Sequence, residues 1–117
     1  MHDDQPPAPP ALRARRGARE RLREALLNLA EQRATILAHR ETNWASITFA
    51  GARHRVELSF QGAEAVMAGE TFIALLPEHE FSIPRQLVAE ATVVAVEHQL
   101  DPPRMAVTCE VLMLEDQ

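Results

Sequence analysis

The stretch WASITFAGARHRVELSF, residues 44–60, decides how the rest of the chain is read. Its apolar residues alternate. Ala45, Ile47 and Phe49 fall on one side of an extended chain. Val56, Leu58 and Phe60 do the same, with Arg55, Glu57 and Ser59 on the other side. A period of two is the pattern of a half-buried strand. Between the two runs, Ala50-Gly51-Ala52-Arg53 holds a single glycine and fits a short hairpin link. An antiparallel hairpin therefore anchors the fold.

Upstream the period is longer. Leu22, Leu26, Leu29, Ile36 and Leu37 recur at three- and four-residue steps, with Ala30 and Ala34 on the same side. That spacing predicts one basic amphipathic helix over 11–41. Its start is lopsided: Arg13, Arg15, Arg16, Arg19, Arg21 and Arg23 face only Glu20 and Glu24. Positive charge near a helix N-terminus opposes the macrodipole. A solvated helix end is the favoured reading. The functional alternative makes Arg13, Arg15, Arg16, Arg19 and Arg23 a contact for an acidic partner or a nucleic-acid phosphate. Before the helix, residues 1–10 (MHDDQPPAPP) hold four prolines and little to bury, so a disordered tail is expected.

Downstream, Gly62 ends the second strand of the hairpin. Residues 63–76, AEAVMAGETFIALL, favour a helix with Val66, Gly69, Phe72, Ile73 and Leu76 on one side, closed by Pro77. Two long strands follow, near 87–98 and 105–115, joined by QLDPPR, whose prolines cannot join a ladder. In the last strand Met105, Val107, Cys109, Val111 and Met113 form one face. Ala106, Thr108, Leu112 and Leu114 form most of the other, interrupted by Glu110. A strand apolar on both sides is usually covered on both sides. One cover is the helix after Gly62; the other is the N-terminal helix or a second subunit. The expected fold is α+β: an N-terminal helix, then an antiparallel sheet of two hairpins in β-β-α-β-β order, with helices packed on one face. Residues 42–117 are expected to form a small α+β domain that makes one structural unit with the helix over 11–41.

Composition narrows the function classes. The chain has 117 residues, suited to one domain. Aromatic residues make up only 4%, so the core is thin and an oligomer interface would help complete it. The net charge of −5 argues against a general nucleic-acid binder. There is one cysteine, hence no intrachain disulfide. No secretory leader pattern is present, and no apolar run approaches the ~20 residues that span a bilayer. A cytoplasmic location away from membranes is the expectation.

Chemistry-bearing patterns are sparse. In LPEHEFSIP, residues 76–84, His79 stands between Glu78 and Glu80. In an extended segment His79 shares a face with Phe81 and Ile83, away from both glutamates. A packing or helix-capping histidine is favoured over an acid–base group or ligand. The histidines show no HxH, HxxxH or HExxH spacing, so neither a metal nor another cofactor is expected. The centre of the last hairpin aligns His98 with Met105. Cys109 then lies about four residues away, roughly 13 Å along the ladder, too far for a dyad. Glu90 and Glu110 lie among apolar neighbours on the two long strands. They are candidates for an acid–base pair in a cavity, although pairing with an arginine such as Arg85 or Arg104 is commoner. No phosphate-cradling loop, dinucleotide fingerprint or nucleophile elbow is present.

Three readings follow, in order. The first is a protein-interaction or assembly module acting as a homo-oligomer. The second is a small ligand-binding domain or enzyme with a pocket near His79, Glu90 and Glu110. The third is a nucleic-acid accessory protein using the Arg-rich helix.

Overall fold

A computed structural model describes residues 10–116, with side chains described from Gly17 onward. Helix α1 spans Pro10–Leu29, strand β1 Ala34–Ala45, β2 Ala50–Gln61, helix α2 Ala63–Leu75, β3 Gln86–Gln99 and β4 Arg104–Glu115. A 3-10 turn over Leu76–Glu78 extends α2. The strands form one open antiparallel sheet in the order β1-β2-β4-β3. The expected α+β class and β-β-α-β-β order hold.

Alternation places the core. Val56, Leu58 and Phe60 of β2 and Met105, Val107, Cys109, Val111 and Met113 of β4 point to one face and are buried. Helix α1 lays Ala18, Leu22 and Leu26 on that face at four-residue steps, and Ala30, just past its end, continues the row. Helix α2 covers the same face with Ala65, Val66, Ala68 and Phe72. Gly69 lets it sit close, since a Cβ there would crowd Phe60 and Met105. Gly62 takes φ +98°, outside ordinary L-residue space, to turn β2 into α2, and its N–H reaches the Pro103 carbonyl. Both helices thus occupy one layer. The described chain is only 20 Å across its short axis, which fits two layers and leaves no third.

Two expectations are corrected. The helix predicted over 11–41 ends at Leu29, and residues 34–41 belong to β1. No glycine or proline marks the stop. Glu31 and Gln32 adopt left-handed backbone at φ 57° and 58°, and the Gln32 N–H closes back on the Leu27 carbonyl. The segment that follows is held instead by pairing with β2 from Ala34↔Phe60 to Ala45↔Ala50. The hairpin link also shifts. It is Ser46–Phe49, not Ala50–Arg53. Ser46 Oγ accepts the Phe49 N–H at 3.0 Å, and the Ser46 N–H meets the Phe49 carbonyl at 2.7 Å. A serine side chain thus makes the turn that a glycine was expected to make.

Of the tail expected over 1–10, residues 1–9 lie outside the described residues and Pro10 begins α1. No described helix is long and apolar enough to cross a membrane.

Candidate functional site

The sheet face turned away from the helices carries the surface chemistry. Its residues alternate with the core residues on the same strands: Arg53, Arg55, Glu57 and Ser59 on β2, then Thr108, Glu110, Leu112 and Leu114 on β4. Ladder partners line up across it in rows. One row runs Trp44, Gly51, Leu114, Leu87 and is mostly apolar. The next but one runs Arg40, Arg55, Glu110, Thr92. The β1–β2 turn rises at the apolar end, where Ile47 is fully exposed and Phe49 lines a shallow hollow with Leu87 and Leu114. Leu87 is also more than half exposed there, and Leu37 is so at the far end of the face, beside Glu57 and Gln61.

The middle of the face is ionic. Arg55 approaches Glu110 at 3.4 Å. Arg53 reaches Glu90 at 3.9 Å and Glu110 at 4.0 Å. These are loose contacts between partly exposed groups, with donors and acceptors to spare. Glu90 and Glu110 therefore share Arg53, and Glu110 also meets Arg55; these partners come from β2 and are not Arg85 or Arg104. Small residues at Ala38 and Thr108 leave a hollow of about 310 Å³ between Arg40, Arg55 and Glu57.

His79 is elsewhere. It follows α2 in the helix layer, on the opposite side of the sheet from Glu90 and Glu110. Its backbone N–H caps the 3-10 turn on the Leu76 carbonyl, and its exposed ring stands edge-on to Phe81 at 4.6 Å. The structure does not bring these three candidates into one pocket. Cys109 is fully buried, and burial pushes its thiol up to about 12. His98 does pair with Met105, four ladder positions from Cys109.

A second polar cluster lies beneath α1, on the helix-covered face. The Arg23 Nη1 donates to His39 Nδ1 at 3.4 Å, which makes that nitrogen an acceptor. His39 Nε2 then donates to His54 Nδ1 at 2.8 Å. Arg19 donates to the His39 carbonyl at 3.1 Å and lies 3.7 Å from Glu41. Burial and the Arg19 charge hold His39 down to about 3. Burial also lowers His54, against the opposing pull of Glu41. Both rings are neutral at pH 7. Two of the arginines proposed as partner contacts, Arg19 and Arg23, are thus engaged within the chain. The side chains of Arg13, Arg15 and Arg16 lie outside the described residues. No group of three or more metal-ligating side chains is gathered among the described residues.

Sequence reasoning missed this cluster because it assigned His39 and Glu41 to a helix. One signal was available. His39 and Glu41 are two apart, hence on one face of a strand. Ladder pairing then brings that face to His54.

No protein-family model and no curated protein matches the chain. Among solved structures, a chain of the virion of a native gene transfer agent (GTA) particle is similar. It is 12% identical, with a TM-score of 0.51, and the match covers 86% of this chain and 93% of that one. At that identity the likeness is one of fold.

Proposed function

We propose that the protein is an assembly module that forms a homo-oligomer through the helix-free face of its sheet. One observation carries this reading: a four-stranded sheet has both helices on one side and an apolar row, Trp44 to Leu87, on the other. Apolar residues grouped at one end of a mostly polar face mark contact sites more often than solvated surface does. The shared fold with a chain of a virion particle supports a role in multi-subunit assembly. The reading keeps the cytoplasmic setting expected from the sequence. The alternative pocket of His79, Glu90 and Glu110 has less support, because the histidine and the carboxylates lie on opposite sides of the sheet.

Sedimentation equilibrium over a wide concentration range tests the reading. Wild type is expected to associate. Leu87→Asp and Ile47→Asp are expected to keep their secondary structure by circular dichroism and to shift toward monomer. A wild type that stays monomeric at every concentration removes the proposal.

A further inference from the structure

We infer that two copies meet face to face about a two-fold axis parallel to the strands, with β1 and β2 of each lying over β3 and β4 of the other. This rests on the reading that the helix-free face is the interface, and it adds the geometry and the occupant, a second copy of this chain.

Charge is unevenly distributed across that face. Strand β1 presents Arg40, and β2 presents Arg53, Arg55 and Glu57. Three arginines less one glutamate leave this half at +2. Strand β4 presents Glu110 and Arg104, and β3 presents Glu90 and Glu97. One arginine less three glutamates leaves the other half at −2. The face is therefore polar from one edge to the other, across the strands. Along the strands it is polar in a different sense: the row from Trp44 to Leu87 is apolar, while the far end carries Gln61, Arg104 and Gln99 around a single exposed leucine, Leu37.

Few symmetry operations satisfy both gradients. A two-fold axis along the strands keeps position along the strand and reverses strand order. The apolar row then lies on the apolar row, with Trp44 over Leu87 of the second copy. The basic half lies on the acidic half, with Arg55 over Glu110 of the second copy, twice. A two-fold axis across the strands does the reverse. It sets β1 on β1 and the apolar end on the Arg104 end, so both gradients clash. Aligned sheets cross at about 30°, and Arg55 and Glu110 on the two central strands stay near the axis despite that angle.

Two further observations fit. The free edges are broken by irregular register, between Ile36 and Ala38 in β1 and at Val88/Glu90 and Val93/Ala95 in β3. Bulged edges resist strand addition, which leaves the face as the route of association. The face is also large enough. Four strands ~4.8 Å apart and about 12 residues long at ~3.3 Å present roughly 750 Å², near the ~800 Å² each partner contributes to a standard interface.

The test uses two single variants of the full chain, Arg55→Glu and Glu110→Arg. Each alone sets like charges opposite one another at both symmetric positions. Each is expected to associate roughly tenfold or more weakly than wild type by analytical ultracentrifugation. Mixed in equal amounts, the two variants are expected to recover a dimer, which native mass spectrometry should show to contain one chain of each. Wild type that dimerises while the mixture stays monomeric overturns this axis and leaves the interface reading standing; so do variants that dimerise alone as well as wild type. Monomeric wild type removes both. If either charge variant fails to fold, mixing Trp44→Cys with Leu87→Cys chains tests the same axis under oxidation. A disulfide between unlike chains, in excess over like pairs, is expected, and its absence counts against the axis.

Discussion

On one face of the sheet, Val56, Leu58, Phe60, Val107 and Cys109 are sealed under two helices. On the other, the same two strands present Arg53, Arg55, Thr108 and Glu110 to solvent. Backbone, ladder and strand length are shared, so the contrast lies wholly in alternate side chains. Stability should therefore depend on one set of positions and recognition on the other, and the two should be separable by mutation one residue apart.

The largest expected effect is on the covered face. Phe60→Ala removes a fully buried ring that packs 6.0 Å from Phe72. A loss of about 3–5 kcal/mol is expected from urea unfolding. Gly51→Ala should blur the contrast. Gly51 belongs to the open-face register, yet an added Cβ would run into the Met113 carbonyl of β4. About 1–3 kcal/mol should be lost, as for overpacking a core.

Acid should single out the covered face. His39 and His54 have folded values below the ordinary histidine value of 6.5. Between that value and the folded ones, the unfolded chain binds protons that the folded chain does not. Stability is therefore complete above pH 6.5 and falls as pH drops toward about 3. Unfolding free energies measured from pH 7 to pH 4 should fall by about 1–3 kcal/mol, and His39→Gln should flatten the slope. The smallest effects belong to the exposed positions. At concentrations below assembly, Arg53→Ala should cost less than ~1 kcal/mol, and His79→Ala should stay within ~0.5 kcal/mol of wild type. A loss of several kcal/mol at His79 would make it a core residue and break the contrast.

What the sequence revealed follows the same division. Strand β4 was legible on both faces, because its two apolar sets are separate and a pair of prolines marks where its hairpin begins. Pro77 and the alanine-rich run before it were enough for α2. The stop of α1 was not legible. Ala34, Ile36 and Leu37 fit helical steps and strand alternation almost equally, and the choice is made by β2, which lies later in the chain. Ile47 and Phe49 misled for a related reason: two apolar residues in a turn extend the alternation of a strand. The glutamates of the open face were recognisable as candidates, but their partners were not, since Arg53 and Arg55 depend on a register that only the assembled sheet defines. The histidine pair was hidden by the misplaced end of the first helix.

The order β1-β2-β4-β3 joins two local hairpins along a single seam, β2 against β4. Each hairpin closes over a short turn, whereas the seam pairs Gly51 with Leu114 and Gln61 with Arg104, far apart in sequence. Closing so long a loop is entropically costly, and contacts of this kind slow folding. The two halves of the chain, cut in the exposed segment around Glu80, would then meet as separate pieces through the same seam. Mixed in solution, such fragments are expected to reconstitute the sheet, making the molecule a candidate for complementation in which neither half is ordered until the other arrives.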